Sequence, residues 1–157
     1  MGETDPASIT SLYRKTVNDW YLNRTDSLED RLRQILSLQK DAFGHFDIRV
    51  AVTLKDLSWW LMLESRYEES AGIAEQALAV FVSHNSQIEN NRYYHEFINN
   101  HAVLKTRIAE KLRLDGELGK SNFYFQEAEL DLRKAIKLHA SAFGDESVGL
   151  CDMYGNL

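Results

Sequence analysis

Residues that lie 100 positions apart match through two helix junctions of this 157-residue chain. A further copy lies between them, because Ile35-Leu36, Ala77-Leu78 and Ala135-Ile136 occupy one position of the pattern, at intervals of 42 and 58 residues. A period of about 42 residues is typical of helical hairpins that bury their apolar faces only against neighbouring copies. The matched positions are Glu29, Leu32, Arg33, Leu38, Ala42, Phe43, Gly44 and Leu57, which recur as Glu129, Leu132, Arg133, Leu138, Ala142, Phe143, Gly144 and Leu157.

Helix start signals recur along the chain, and no strand alternation competes with them. Asp5 before Pro6 is a typical N-cap followed by a proline in the first helical position. Asp26 with Glu29 predicts a capping box at the start of the second helix, with Asp in place of Ser or Thr. The sequence therefore predicts an all-α fold.

Glycines predict where several helices end. Gly44 and Gly144 each follow a phenylalanine and indicate helix ends at equivalent points of the repeat. Gly116, Gly119 and Ser121 predict a connection, with the sixth helix starting at about Phe123. A seventh helix is expected to begin at Ser147, which would cap it as Asp47 caps the third.

The predicted architecture is an α-α superhelix of stacked hairpins with a concave face lined by the first helix of each hairpin. We expect one repeat segment over residues 1–157, with about three hairpins plus a truncated helix, and a flexible N-terminus over residues 1–5. The second interval between copies carries about 16 more residues than the first. The chain stops at Leu157 inside an apparent first helix, without the polar face of a terminal repeat, so we expect it to be a piece of a longer protein.

Charge and composition exclude several classes of partner. The chain has 18 Lys plus Arg against 24 Asp plus Glu, a formal charge of −6, which disfavours nucleic acid because phosphate binding needs a clustered positive surface. No apolar run approaches the roughly 20 residues that span a bilayer, so membrane insertion is not expected. The single cysteine, Cys151, excludes an internal disulfide and a cysteine zinc cluster. The N-terminus has no secretory signal pattern, which favours a cytoplasmic location.

The stretch from Leu36 to Ala77 resembles tetratricopeptide repeats, in particular the long variety found in kinesin light chains. Three positions depart from the family pattern. Ser70 stands where alanine is expected, Ser65 where the turn has glycine, and Asp47 where the long repeats often have histidine. The residues that carry the resemblance are Ala42-Phe43-Gly44, Val50-Ala51, Leu54, Leu57, Arg66-Tyr67-Glu68-Glu69-Ser70 and Ala77-Leu78.

The resemblance implies a non-enzymatic adaptor in intracellular protein transport. Its implied partners are protein or peptide cargo, such as the cytoplasmic tail of the amyloid precursor, and its implied location is cytoplasmic and microtubule-associated. The resemblance to kinesin-light-chain-like proteins also implies a role in substrate recognition for a cullin-RING ubiquitin ligase. That role needs an N-terminal recruiting box, which this sequence does not contain, so contact with ligase components is expected only through other regions. The resemblance implies no cofactor.

The third helix offers candidates for a peptide-binding groove. Trp60 lies near Leu57 and Leu61 and is expected in the core, whereas Trp59 falls on the other side, with Lys55 four residues before it and Met62 three after. An aromatic side chain beside an ammonium suits an acidic or carboxylate group of a peptide. The alternative is that these residues pack against a neighbouring hairpin.

The fifth helix offers a second set of candidate peptide-binding residues. Asn99, Asn100 and Arg107 lie off its apolar stripe, where asparagine amides are placed to bond a peptide backbone. An ordinary solvated helix face is the alternative interpretation.

Catalytic and metal-binding patterns are weak. His95-Glu96 begins like a metalloprotease motif, but the fourth residue after His95 is Asn99 rather than a second histidine, which favours a solvated helix start. His101 lies on the apolar stripe and is expected to be a satisfied core histidine. Cys151 aligns with Ala51 and is expected to be a small core residue.

Two other classes of function stay open. One is structural self-assembly, in which exposed end hairpins dimerise or complete a longer stack. The other is a small helical enzyme with a metal or acid-base site. Neither class has a motif of its own in the sequence, so the adaptor is the preferred hypothesis.

Overall fold

A computed structural model describes residues 5–144 and 148–157. Within these residues the chain forms seven α-helices and one 3₁₀ helix, Asn85–Asn90, and no β-strand, which confirms the predicted all-α fold. None of these described helices is both long and apolar enough to cross a membrane. The α-helices are α1 (Pro6–Tyr21), α2 (Leu28–Phe43), α3 (Ile48–Leu63), α4 (Tyr67–Ser83), α5 (Arg92–Leu114), α6 (Leu118–Phe143) and α7 (Val148–Asn156).

The chain divides into two compact units, Met1–Ser83 (unit 1) and His84–Leu157 (unit 2). In unit 1, α1 packs on α2, α2 on α3 and α3 on α4. In unit 2, α5 packs on α6, α7 packs on both, and the 3₁₀ helix contacts α5 and α6. The predicted helical hairpins are therefore present as α1–α2, α3–α4 and α5–α6.

The three hairpins share one turn geometry. Asn23, Ser65 and Gly116 each adopt a positive φ, of 58°, 61° and 82°, and lie 42 and 51 residues apart. The residue after each one donates its N–H to the carbonyl five positions back, at 2.8 to 2.9 Å, which is the Schellman helix end. Serine at position 65 therefore adopts the left-handed conformation for which the resembled family uses glycine.

The helices of a hairpin approach closely at residues 12 positions apart. Ser70 donates its hydroxyl proton to the Ser58 carbonyl at 2.8 Å, and Ser121 does the same to the Ala109 carbonyl at 2.8 Å. Ser58 also bonds the Ser70 carbonyl at 3.0 Å. Because every buried hydroxyl here has a partner, serine replaces alanine at this crossing without leaving an unsatisfied polar group.

The junctions that match at a distance of 100 residues have the same conformation. Gly44 ends α2 with φ 88° and ψ 159°, and Gly144 ends α6 with φ 86° and ψ 162°. After Gly44, Asp47 caps α3 by accepting the Arg49 N–H at 2.9 Å. The equivalent cap predicted at Ser147 lies outside the described residues.

The extra residues of the third copy lengthen its helices. Gly144 lies seven residues further from its hairpin turn, at Gly116, than Gly44 lies from Asn23, which is about two helical turns. Helix α5 has 23 residues where α3 has 16. Together with the 3₁₀ helix, this extension accounts for the longer second interval.

Two helix starts differ from the prediction. Helix α6 begins at Leu118 rather than Phe123, because Gly119 and Ser121 belong to the helix and Ser121 lies at the helix crossing. Helix α2 begins after Ser27, which has a φ of 54° and no side-chain capping bond, so the predicted capping box is wrong.

The carboxylate of Glu29 instead joins a ring of ion pairs between α2 and α4. Arg33 bonds Glu29 at 2.8 Å and Glu69 at 2.6 Å, and Arg66 bonds Glu29 at 2.5 Å and Glu69 at 2.5 Å. The hydrogen bond from Arg66 lowers the pKa of Glu29 below its usual value. The ring joins the first two hairpins of unit 1.

Candidate functional site

The first helices of unit 1 bring a buried charge pair and a tyrosine together. The Tyr13 hydroxyl on α1 donates to one oxygen of the Asp56 carboxylate on α3 at 2.6 Å, and the Lys55 ammonium lies 3.0 Å from the other. Lys55 and Asp56 are only 9% and 8% exposed. Two adjacent residues of one helix therefore neutralise each other, and the tyrosine ties them to α1.

An aromatic pair lies on the same two helices. Trp20 of α1 and Trp60 of α3 meet edge to face, with ring centroids 5.9 Å apart and planes at 89°. Both side chains are half-buried. We call Tyr13, Trp20, Lys55, Asp56 and Trp60 the first-helix face of unit 1. It combines aromatic area with a neutralised charge pair, and Trp60 belongs to it rather than to the fully buried core.

The predicted residues of the third helix all lie on α3, within about two turns. Lys55 is buried against Asp56, Met62 is buried, and Trp59 is half-buried. The Lys55 ammonium, which was expected to bind an acidic group of a ligand, is therefore already paired with the Asp56 carboxylate. Asp56 and Tyr13 were not among the predicted residues, because their contact spans 43 positions. The one available signal was a Lys-Asp pair inside an otherwise apolar helix.

The predicted residues of the fifth helix lie in unit 2. The Asn99 side chain accepts a bond from Asn156 of α7 at 3.0 Å and donates to Asn100 at 3.4 Å. Arg107 lies two turns further along α5, exposed, with Glu110 at 3.0 Å. The two asparagines are adjacent and half-buried, and Arg107 is separate from them.

A polar cluster joins α5 to α6 within unit 2. Lys105 lies 2.7 Å from Asp131 and 3.5 Å from Glu127, and His101 Nδ1 lies 3.4 Å from Asp131. Burial by itself would raise the pKa of the Asp131 carboxyl, but bonds from His101 and Lys105 bring this pKa below its usual value. His101 also stacks on Phe97 at 5.6 Å, so the imidazole has partners as predicted, but it is half-buried rather than in the core.

Two other predictions are wrong. His95 does not lie on a solvated helix start: it is fully buried, and its Nε2–H donates to the Glu89 carbonyl at 2.7 Å. Cys151 is exposed rather than in the core, although the aligned Ala51 is fully buried. The burial of His95 depends on its packing against the 3₁₀ helix and His139 rather than on the local pattern.

The described part of the chain contains no group of three or more His, Cys, Asp or Glu side chains placed to hold a metal ion. The first-helix face of unit 1 combines two tryptophans with a buried charge pair.

No protein-family model matches the sequence, and a search of curated proteins finds no match. The resemblance to tetratricopeptide repeats accordingly stays a prediction that rests on the residues quoted for it.

Proposed function

We propose that this chain is a non-enzymatic adaptor that binds an extended segment of a partner protein. The observation that supports this proposal is the first-helix face of unit 1, where α1 and α3 together present Trp20 and Trp60 beside a neutralised charge pair. Aromatic side chains are the residues that most often carry binding energy in protein interfaces. Their half-buried state leaves part of each ring available for contact.

The chemistry of this face favours a largely apolar segment. A ligand carboxylate would have to displace Asp56 from Lys55, and this would leave the Asp56 carboxylate buried without its counter-charge. A ligand side chain that lies on the indole rings has no such cost. Trp59, on the neighbouring side of α3, extends the aromatic area on this helix.

Unit 2 offers different chemistry. Asn99 and Asn100 carry amide groups suited to the backbone of a bound peptide, and Arg107 is an exposed guanidinium whose bond to Glu110 is a weak surface pair. An acidic residue of a ligand could exchange for Glu110 at little cost. We therefore assign any acidic specificity to Arg107 rather than to Lys55.

The sequence resemblance supports a finer proposal. It extends to amyloid protein-binding protein 2, a kinesin-light-chain-like repeat protein, through the helix from His95 to Asp115 and the repeat from Gln126 to Leu157. On that basis we propose cytoplasmic tails of membrane proteins, such as the amyloid precursor, as cargo in microtubule-associated transport. A place in a cullin-RING ubiquitin ligase receptor is proposed only through regions that this sequence does not include.

A peptide array of cytoplasmic tails, followed by fluorescence polarisation of the best binder, tests the proposal. Trp20→Ala, in the first-helix face, is expected to weaken binding at least tenfold, since aromatic anchors carry about 2 kcal/mol or more. Phe123→Ala, on an exposed aromatic residue of α6, is the matched control and should leave affinity unchanged. No binder on the array, or equal affinity for both folded variants, would contradict the proposal.

Arg107 is tested in the same assay by reversing its charge. Arg107→Glu should selectively weaken acidic peptides, and Arg133→Glu is its control because Arg133 is also exposed and also pairs with a glutamate on its own helix. At Lys55 the suitable substitution is Lys55→Met, since Lys55→Glu would place a second buried carboxylate beside Asp56 and destabilise the helix rather than test binding.

Self-association is the second candidate, and exposed apolar residues favour it. Tyr21 and Leu63 occupy equivalent positions before the two hairpin turns of unit 1 and are 87% and 52% exposed. Light scattering at increasing concentration separates this function from the adaptor. A stable dimer that dissociates in the Tyr21→Ser variant would favour self-association. A stoichiometric metal in the purified chain would instead favour a metal-dependent enzyme.

A further inference from the structure

Two histidines of unit 2 are buried against each other. His95 on α5 and His139 on α6 meet edge to face, with ring centroids 5.6 Å apart, and they are 0% and 3% exposed. Phe143 packs on both rings, at 5.8 Å from His95 and 4.9 Å from His139. The pair thus lies in an aromatic cluster at the end of the α5–α6 hairpin that is remote from its turn.

Each imidazole also holds an element outside the hairpin. His95 Nε2–H donates to the Glu89 carbonyl of the 3₁₀ helix at 2.7 Å. On the other side, α7 lies so close to His139 that a Cβ atom at Gly149 would fall 2.8 Å from its Cε1 and Nε2 atoms. The histidine pair is therefore the point at which both the 3₁₀ helix and α7 rest on the hairpin.

The charged groups around the pair largely cancel. From α5, Arg92 and Glu96 act on the rings, and they bond each other at 2.8 Å. The 3₁₀ helix contributes the Glu89 carbonyl, while α6 contributes the aromatic Phe143 and α7 the uncharged Gly149. Among the described side chains, the environment of the pair is thus mainly apolar.

Such an environment disfavours the charged imidazolium. Burial lowers the pKa of His95, and burial together with the positive charges of His95 and Arg92 lowers the pKa of His139. A histidine exposed by opening regains its ordinary pKa of about 6.5, so below that pH the opened state binds more protons than the closed one. Closure therefore weakens as the pH falls, by up to tenfold per pH unit for each histidine.

We propose that His95 and His139 form an acid-sensitive clasp that holds α7 and the 3₁₀ helix on the α5–α6 hairpin near neutral pH and releases them in mild acid. The release is local, because α7 is a nine-residue helix whose buried side chains include Leu150 and Met153, whereas α5 and α6 pack along their length. The clasp does not depend on the proposed adaptor function. It would make the Asn156–Asn99 contact, which α7 supplies, sensitive to pH as well.

Hydrogen exchange of the intact chain between pH 7.5 and 5.0, corrected for intrinsic rates, tests the proposal. Amides of α7 and of the 3₁₀ helix should lose protection below pH 6.5, by up to about tenfold per pH unit for each histidine that opening exposes, while α3 of unit 1 keeps its protection. Unit 1 contains one histidine, the exposed His45, which makes it an internal reference. Unchanged protection of α7, or equal loss in both units, would overturn the proposal.

A designed variant removes the titration and keeps the contacts. In His95→Gln with His139→Phe, the glutamine amide can donate to the Glu89 carbonyl and the phenyl ring fills the place of the imidazole. Protection of α7 in this variant should be independent of pH, whereas His101→Gln, in the same unit, should keep the wild-type response. Persistence of the wild-type pH response in the double variant would refute the clasp.

A measurement on the unmodified chain covers the case in which the double variant does not fold. Titration of the histidine Cε1 proton resonances should show pKa values for His95 and His139 below the ordinary value of about 6.5, and their midpoints should track the loss of α7 protection. If His95 and His139 both titrate at or above about 6.5, the proposal is wrong.

Discussion

Gly149→Ala offers the sharpest test of the packing between α6 and α7. Gly149 is the second residue of α7, and its backbone lies so close to the His139 ring that an added Cβ would meet two ring atoms at 2.8 Å. His139 is buried and packs on His95 and Phe143, so the ring cannot simply move into solvent. The substitution must displace either the imidazole or the helix.

Two effects of opposite sign decide the magnitude. Alanine gains roughly 0.5 to 1 kcal/mol over glycine in a helix, because glycine loses more backbone entropy on folding. An extra methyl group in a well-packed site costs about 1 to 3 kcal/mol. We therefore expect Gly149→Ala to lower the free energy of unfolding by about 1 to 2 kcal/mol. For a unit of this size, that corresponds to a fall in melting temperature of roughly 4–16 °C.

Gly119→Ala is the matched control. Gly119 is also the second residue of its helix, α6, and nothing lies within 4 Å of the place where its Cβ would be. This variant should be more stable by roughly 0.5 to 1 kcal/mol, since only the entropy term acts. Urea denaturation followed by circular dichroism measures both variants.

A double-mutant cycle with His139→Ala identifies the clash as the cause. If the imidazole is the obstacle, the two substitutions should be coupled by about 1 kcal/mol or more, because removing the ring removes the cost of the methyl group. Equal stabilities of Gly149→Ala and Gly119→Ala, or additive effects in the cycle, would refute the close approach.

Three other predictions concern polar side chains. Ser70→Val should lower the free energy of unfolding, measured by urea denaturation, by about 1 to 3 kcal/mol, since it adds bulk at the helix crossing and removes a buried hydroxyl donor. Its control is Ala79→Val, on the exposed side of α4, which should lower it by less than about 1 kcal/mol. Asp131→Asn should lower the free energy of unfolding by about 1 to 2 kcal/mol at pH 7. Because folding lowers the pKa of Asp131, its contribution to stability is present above the unfolded-state pKa and disappears as the pH falls through the folded-state pKa. The melting temperatures of wild type and variant should therefore converge in acid. Asp56→Asn should cost about 2 to 4 kcal/mol by removing the charge that neutralises Lys55, and Lys55→Met should cost clearly less in the same assay; equal costs would contradict the buried-pair interpretation.

The hairpin architecture could be predicted because its signals are local and repeated. The interval of 42 residues between the first two copies reappears between the turn residues Asn23 and Ser65. The start of α6 could not be placed, since Gly119 and Ser121 look like connection residues until the contact of Ser121 with Ala109 is known. Glycine and serine are on average more frequent in connections than in helices, but at a close helix crossing the small size of a residue such as Ser121 is what allows the two helices to approach.

The candidate site was predicted only in part. Trp59, Asn99 and Arg107 lie on the predicted helices, but nothing in their spacing shows which of their neighbours are already engaged. Lys55 was expected to meet a ligand, and the structure pairs it with Asp56, which in turn accepts the bond from Tyr13. The same limit applies to His95, whose burial depends on packing against His139, 44 positions away.

The amino-acid sequence by itself determined the helical period and the glycine ends of α2 and α6. These features depend on backbone conformation and on apolar spacing over a few residues, so identical residues at Gly44 and Gly144 yield nearly identical φ and ψ angles. Tertiary structure alone decided which polar and titratable groups are neutralised or buried. The free energy of a charge or an imidazole depends on the groups within a few ångströms of it. For Asp56 and His95 these groups include Tyr13 and His139, which lie on helices 43 and 44 positions away.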